Sequence, residues 1–152
     1  MSLASAQAAI VDTLAGVLPG MTVEAHGGRF TERELPLLLA KAPCVLIAAL
    51  TVSRYIPYAP SEWQGEVQWA AYCLGADGGG NRAEQAMDAI QALLDEMIDQ
   101  TWGLLDTQCE PPDFATVRAD NLYSGHVNNL RIALWTLTWT QTHTFTFDEV
   151  SP

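Results

Sequence analysis

The sequence has few basic residues and no long apolar run, and each shortage argues against a class of protein. Lysine and arginine total 7 against 18 aspartates and glutamates, which gives a net charge of −11. A groove that follows nucleic-acid phosphates needs clustered lysine and arginine, and the chain has no such cluster, so we expect no direct nucleic-acid binding. No apolar run approaches the ~20 residues of a membrane-spanning helix, so we expect no membrane partner.

Cysteine is also scarce, and its spacing indicates neither a disulfide framework nor a zinc site. Cys44, Cys73 and Cys109 are odd in number, far apart and without C-x-x-C spacing. Cys44 and Cys73 lie within apolar runs and are predicted to be buried thiols. The first twenty residues lack the basic start of a signal peptide, so a reducing, aqueous compartment is expected.

Catalytic and cofactor motifs are missing as well. His26, His126 and His143 have no partner at metal-ligand spacing, and there is no G-x-S-x-G. The glycines of "GADGGGNRAE" precede a helix but lack the pattern of a phosphate-binding loop, so a capped turn is favoured. Cys109 has no adjacent base. We therefore expect no catalytic, cofactor-binding or metal site, and a protein that is not an enzyme.

What the chain does contain is enough apolar sequence for one domain. It has 152 residues, of which 49% are hydrophobic and 16% are charged. A chain of this length builds its own core, and an average protein carries about 25% charged residues. Such a low charge content fits a subunit buried between neighbours, although a large core would lower it too.

Three helices are indicated by apolar spacing and capping signals. The ranges are 3–18, 31–41 and 81–100. In the second, Thr31 and Glu34 form a capping box, and Pro36 predicts a short or kinked helix. In the third, Asn81 is the expected cap, and Met87 and Ile98 belong to the predicted apolar face. Its acidic residues lie on the opposite face, where a solvated surface is favoured over catalytic carboxylates.

Strands are indicated where the apolar pattern becomes continuous or alternates every second residue. The ranges are 21–26, 43–52, 65–76, 114–125 and 130–147, of which 114–125 is a strand with a following loop. The element order is α β α β β α β β. Sequential strands joined by hairpins predict an α+β domain, with an antiparallel or mixed β-sheet packed by about three α-helices.

The last strand is unusually long. In "LRIALWTLTWTQTHTFTF" every even position from 136 to 146 is threonine, and Trp135, Leu137 and Trp139 stand at odd positions as the expected core anchors. Eighteen extended residues span roughly 59 Å, whereas a typical strand has about five or six residues. Such a strand should either bend sharply or reach out and pair with a neighbouring chain.

Aromatic residues mark the segment 53–64, "SRYIPYAPSEWQ", which is predicted to be an irregular hairpin loop. It carries Arg54, Tyr55, Tyr58 and Trp63. Tyrosine, tryptophan and arginine dominate interface hot spots, so these four residues are the candidate interface. The alternative is a loop tip whose aromatics pack on the subunit's own sheet.

The arrangement of these segments resembles a known family. A helix and a capped second helix lead to "KAPCVLIAALTV", a hairpin leads to "VQWAAYCLGA", and a long amphipathic helix closes in "LLDEMIDQTWGLLD". The chain ends in "NNLRIALWTLTWTQTHTF". This order, which covers most of the chain, is similar to that of the tail-terminator (tail completion) proteins of Mu-like and other long-tailed phages.

The resemblance implies a single tail-terminator-like domain over residues 1–152 and a structural role. Such proteins form a hexameric ring on the tail tube, end its polymerisation and meet the head-side connector. The implied partners are the protein itself, the tail tube protein and the head–tail connector protein. The implied location is the tail or neck of the virion, after assembly in the bacterial cytoplasm. Another neck or tail-completion subunit, or a cytosolic ligand-binding domain or enzyme, is the alternative.

Overall fold

The computed structural model describes residues 1–29, 31–38, 40–77 and 81–146. Within them the α-helices are α1 (Leu3–Val17), α2 (Leu35–Leu38), α3 (Arg82–Glu96) and α4 (Gly125–Asn129), and a 3-10 turn at Glu32–Glu34 leads into α2. The strands are β1 (Thr22–Ala25), β2 (Cys44–Ala59), β3 (Glu62–Ala76), β4 (Asp113–Asn121) and β5 (Ile132–Thr146). The predicted order of elements is present, with the short helix α4 added before β5.

The five strands of the described chain form one sheet in the order β1-β2-β3-β5-β4. β1 runs parallel to β2, and the other neighbouring strands are antiparallel. A parallel pair needs a crossover connection, and here the segment that contains α2 supplies it. The sheet is therefore mixed and packed by helices, so the α+β prediction is confirmed.

Helices cover the two faces of this sheet unequally. On one face, called the helix face here, α1 contributes Ile10 and Leu14 and α3 contributes Leu93 to the main core. The other face, called the open face, is partly covered by Leu35 of α2 and Val127 of α4 among the described residues. Cys44 and Cys73 are buried, as predicted.

The helix ends follow the predicted caps, but two apolar positions do not follow the predicted face. The Asn81 side chain accepts hydrogen bonds from the backbone N–H groups of Ala83 and Glu84. Met87 and Ile98 are exposed by 45% and 67%. Ile98 lies beyond the end of α3 at Glu96, so the helical periodicity no longer directs its side chain inward. The turn glycines 78–80 lie outside the described residues.

The second predicted helix is short, as the proline implied. It ends at Leu38, and it is preceded by a 3-10 turn. Glu34 Oε1 accepts hydrogen bonds from the backbone N–H and the hydroxyl of Thr31. The pairing of these two residues was therefore predicted correctly, although the turn that they join is 3-10 rather than α-helical.

The length of β5 predicted that it would either bend sharply or reach out to a neighbouring chain, because one small domain could not use all of it. That reasoning was wrong, because β5 is paired inside the subunit along its whole length. All of its residues from Ile132 to Thr146 pair with β3, and β4 lies along its other side. The strand is accommodated because its neighbour β3 is equally long, with 15 residues in each. Leu137 and Trp139 are fully buried, as predicted, whereas Trp135 is half-buried. Phe147 of the predicted strand lies outside the described residues.

Candidate interface on the β2–β3 hairpin

The segment 53–64 is not a loop, and this part of the prediction was wrong. β2 continues to Ala59 and β3 begins at Glu62, so the two strands form a long hairpin. Pro60 and Ser61 make its two-residue turn, with Ser61 at a φ of 59°. Proline is tolerated at a turn and on an edge strand, where no neighbour needs its missing N–H. We call residues 51–66 the outer hairpin.

The outer hairpin presents apolar side chains to solvent. Every residue from Thr51 to Pro60 is exposed. Ile56 is 54% exposed and Tyr58 is 61% exposed, and Val52 and Tyr55 are also exposed. Exposed apolar residues scattered singly are ordinary, but four of them between Val52 and Tyr58 make this segment a candidate interaction surface.

Tyr55 and Trp63 form the ordered centre of this surface. Their rings stack with centroids 5.1 Å apart and planes 9° apart, and Tyr55 also lies 6.0 Å from the ring of Phe145. Gly65 makes room for this arrangement, because a Cβ built on it would lie 2.9 Å from Tyr55 Cδ2 and 3.2 Å from Val52 Cγ1. The glycine lets an aromatic side chain from β2 lie across β3.

The four predicted interface residues divide into two groups. Tyr55 contacts both Trp63 and the subunit's own Phe145, as the alternative of a self-packed tip requires. Arg54, with an 80% exposed side chain, makes a 3.4 Å contact with Glu66, and Tyr58 stays exposed nearer the turn. The stack is therefore a rigid base, and Arg54 and Tyr58 are the members of the set that solvent reaches most freely.

Sequence reasoning missed four contributors to this surface, namely Val52, Ile56, Gly65 and Phe145. Ile56 joins it because β2 extends beyond its predicted end at residue 52. Val52, the last residue of the predicted strand, joins it because it is exposed there. Phe145 joins it through its pairing with Trp63 across the β3–β5 ladder. A strand register would have revealed Phe145, but periodicity within one strand does not specify its partner.

A groove lies at the base of the outer hairpin, beside the start of α1. It has a volume of about 470 Å³ and is lined by Met1, Ser2, Leu3, Val52, Tyr55, Phe145 and Thr146. The N-terminal amine donates to the hydroxyl of Thr146, which fastens the start of the chain to the end of β5. The lining is largely apolar, so the groove continues the exposed surface of the hairpin.

The outer edge of β2 is paired with β1 along its first part and unpaired along the rest. β1 pairs with Cys44–Ile47, and both the His26 backbone N–H and Gln7 Nε2 donate to the Ile47 carbonyl at 2.8 Å. Beyond Ile47, none of the described residues pairs with this edge. The outer hairpin thus has β3 on one side and an unpaired row of backbone groups on the other.

The polar groups nearest to the hairpin in the core are closed off from solvent. Trp69 Nε1 donates to His143 Nε2 at 3.0 Å. Since that nitrogen accepts, Nδ1 of the neutral ring carries the proton, and Nδ1 has no hydrogen-bond partner within the described chain. Burial lowers the pKa of His143 to about 4. The ring is therefore neutral near pH 7 and enclosed by core side chains.

Gln141 holds a second buried network together. Its Nε2 donates to Cys109 Sγ at 3.0 Å and to the Glu110 carbonyl at 2.7 Å. Its Oε1 accepts from Trp102 Nε1 at 2.8 Å and Trp139 Nε1 at 3.1 Å. Burial raises the pKa of Cys109 to about 12, so this thiol stays protonated and is a poor nucleophile. The network fixes the loop before β4 against β5.

One acid–base pair lies nearer the surface, and it acts as a clamp. His26 Nε2 and Glu34 Oε2 are 2.6 Å apart, and His26 Nδ1 lies 2.8 Å from the Gly28 carbonyl. Glu34 Oε1 is occupied by Thr31, and the hydrogen bond with His26 lowers the pKa of Glu34. Both ring nitrogens and both carboxylate oxygens are engaged, so the pair fastens the 3-10 turn to the end of β1.

No protein-family model matches the chain, and no curated protein matches its sequence. Among the described residues, no group of three or more His, Cys, Asp and Glu side chains is placed to hold a metal ion. None of the helices in the described part of the chain is long and apolar enough to cross a membrane. The outer hairpin is thus the feature from which a function is inferred.

Proposed function

We propose that this protein is a phage virion structural subunit that caps the tail tube. In this role it assembles into a hexameric ring, ends tube polymerisation and joins the tail to the head-side connector. The observation that carries the proposal is the outer hairpin, which holds Val52, Ile56 and Tyr58 in solvent beyond a well-packed sheet. Such a surface favours a protein that works by self-association or docking.

The build of the hairpin supports an interface role. Its two strands are paired through to Ala59 and Glu62, and the stack of Tyr55 on Trp63 stiffens it further. A stiff element loses little conformational entropy when it docks. Arg54 and Tyr58 are of the residue types that gain most when a partner excludes water from them.

The charge distribution supports the same surface. The chain carries a net charge of −11, yet residues 35–61, which include the β2 side of the outer hairpin, contain no aspartate or glutamate. Glu62 and Glu66 lie on the β3 side. Two copies repel each other across most of their surfaces, and this stretch is where they meet with least repulsion. A tube or connector protein that binds the acidic surfaces is expected to present basic ones.

Two alternatives remain in view. Another neck or tail-completion subunit would use the same hairpin in a neighbouring ring of the virion. The apolar groove of about 470 Å³ at the hairpin base is the observation that favours the other class, a cytosolic ligand-binding domain or enzyme. Self-association separates the classes, since the second class needs only the groove and a monomer.

The proposal is tested by the size of the assembled protein. On a calibrated gel-filtration column the wild-type chain is expected to elute well above its monomer mass of 16.5 kDa. The double variant Ile56→Ala and Tyr58→Ala is expected to elute as a monomer with an unchanged melting temperature. Trp63 is left in place because its stack with Tyr55 belongs to the monomer.

A matched control removes exposed apolar side chains elsewhere. Met87 and Ile98 are exposed to a similar degree near α3, and Met87→Ala with Ile98→Ala should leave the assembly intact. A wild-type chain that stays monomeric at high concentration would count against the ring. A hairpin variant that assembles like the control would remove the hairpin from the interface.

A further inference from the structure

β1, the short first strand of the order, pairs with β2 only up to Ile47, so the sheet has two long stretches of edge that no described residue pairs with. One is the outer edge of β2 beyond Ile47, and the other is the outer edge of β4, the last strand in the order. Unpaired strand edges template pairing with strands of other chains. The two edges lie on opposite sides of the same subunit.

Length and direction match between these edges. The unpaired edge of β2 runs from Ala48 to Ala59, and its exposed part, Thr51–Ala59, is as long as the nine residues of β4. β4 has one register irregularity, between Asp113 and Arg118. Three antiparallel steps separate β2 from β4, so the two strands run in opposite directions. A neighbouring copy in the same orientation would therefore lay its β4 antiparallel to this β2.

Charge also matches. The exposed part of β2 carries Arg54 and no acidic residue, whereas β4 carries Asp113, Asp120 and Arg118. Arg118 Nε already lies 2.9 Å from Asp120 Oδ2, which leaves Asp113 as the surplus charge of that strand. The side chain of Arg54 is 80% exposed although it makes a 3.4 Å contact with Glu66 of its own hairpin, so its guanidinium lies at the surface that a neighbour would meet.

We propose that the outer edge of β2 lies against the outer edge of β4 of a second copy, so that one sheet continues into the next. This inference rests on the proposed ring and names the two surfaces that build it. Pairing β2 with β2 would bring together two stretches whose one charged residue is Arg54, and pairing β4 with β4 would bring together two strands with more acidic than basic residues. Like charges disfavour both arrangements. The unlike pairing is head-to-tail, the type of contact that closes rings.

The geometry of the edges adds a constraint on the ring. In the register of the sheet, Thr51 pairs with Gln68, which pairs with Thr140, so the exposed part of β2 lies across β3 from the part of β5 that runs from Thr140 onward. β4 instead pairs with β5 from Trp135 to Thr140. The two edges are therefore offset along the strand direction, which requires strands tilted to the ring axis, as closure of a sheet does. β2 has register shifts after Ser53 and after Pro57, and Pro57 has no N–H to donate. A continuous ladder of hydrogen bonds to the neighbouring β4 is therefore not expected in the outer part of β2. Side chains such as Tyr58 then carry the outer part of the contact.

Engineered surface thiols test this pairing cleanly, because all three native cysteines are free and buried. Ser53→Cys places a thiol on the exposed part of β2, and Ala119→Cys places one on β4; both native residues are exposed. The two single variants are co-expressed and treated with a short bismaleimide. A covalent dimer is expected from the pair and not from either variant alone, and the double variant is expected to give a ladder of larger products.

The control keeps Ser53→Cys and replaces its partner by Ala83→Cys, an exposed position at the start of α3. This pair should give no product. A product from Ser53→Cys alone would show a two-fold contact and overturn the proposal. Protein that elutes as a ring without a covalent product would overturn the pairing and leave the ring intact. Wild-type protein that is monomeric would overturn both.

Discussion

Both halves of β2 carry valine and isoleucine, but these residues lie in opposite environments in the two halves. Val45 and Ile47 in the first half are fully buried, between β1 and β3 and beneath the helices. Val52 and Ile56 in the second half are exposed, with β3 as their one neighbouring strand among the described residues. Burial along a strand is therefore decided by what its neighbours supply, and an apolar half without cover is a surface available to a partner.

β3 repeats this contrast with larger side chains. Trp69, in its inner half, is fully buried and donates a hydrogen bond to His143. Trp63, in its outer half, is half-buried and stacks on the exposed Tyr55. The inner halves of the two strands belong to the core of the monomer. The outer halves form the outer hairpin, which is expected to add little to the free energy of unfolding of the monomer.

The largest expected loss of stability comes from removing a buried side chain in the inner half of β3. Trp69→Ala removes a fully buried side chain and the donor to His143, so it should destabilise the monomer by about 3–5 kcal/mol. Trp63→Ala removes a half-buried ring from the projection and should cost about 1 kcal/mol. Urea denaturation, with the midpoint and slope compared for both variants, measures the difference.

Trp69→Phe serves as the control for this pair, since it keeps an aromatic ring but loses the N–H donor. Its loss should fall between the two alanine variants. Equal losses for Trp69→Ala and Trp63→Ala would break the comparison, because the hairpin would then be part of the monomer's core.

Most of the fold could be predicted from the sequence, and the extent of the hairpin could not. The periodicity of α1, the cap at Asn81 and the alternation around Trp139 are local signals, and they gave the right elements. Pro57 and Pro60 are local signals as well, and they indicated a loop. The pairing of β3 with the long strand β5 overrides them, and that pairing is not encoded in any one segment.

The candidate site was predictable to the same degree. The residue types at Arg54, Tyr55, Tyr58 and Trp63 are visible in the sequence and are typical of interface hot spots. The stack of Tyr55 on Trp63 and the contact with Phe145 depend on register across three strands. Which aromatics stabilise the monomer and which remain for a partner therefore required the structure.

The next effect concerns pH and the buried histidine of the inner half. Burial lowers the pKa of His143 from 6.5 to about 4. Between these values the unfolded chain binds a proton that the folded chain does not, so stability is fully present above pH 6.5 and is lost as the pH falls toward 4. The shift corresponds to about 3 kcal/mol. Chemical denaturation at a series of pH values measures this slope.

His143→Gln isolates the contribution of the ring, because glutamine still offers an acceptor to Trp69 and does not titrate. The variant should show a shallower loss of stability between pH 6.5 and 4.5 than the wild type. If the two curves run parallel over this range, the buried imidazole is not the group responsible.

A smaller effect distinguishes two glycines of β3, one in each half. A Cβ on Gly75 would lie 2.1 Å from the Arg82 carbonyl oxygen, so α3 would have to move, whereas a Cβ on Gly65 would meet the side chain of Tyr55 at 2.9 Å. Gly75→Ala should therefore destabilise the monomer by about 1–3 kcal/mol. Gly65→Ala should cost less, since Tyr55 is partly exposed and can turn away. Thermal melts of the two variants rank them, and a reversed order would contradict the account.

The smallest expected loss of stability is at Ile56, and Ile47 in the same strand provides the comparison. Ile47→Ala should cost about 2–5 kcal/mol, because Ile47 is fully buried. Ile56 is 54% exposed, so Ile56→Ala should change the stability of the monomer by no more than about 0.5 kcal/mol. Both changes remove the same atoms from β2, so the difference reports burial alone. Urea unfolding at a concentration low enough to keep the chain monomeric is the measurement. A loss at Ile56 that approaches the loss at Ile47 would mean that the subunit itself buries this residue, and the outer hairpin would then have no apolar surface left for a second copy.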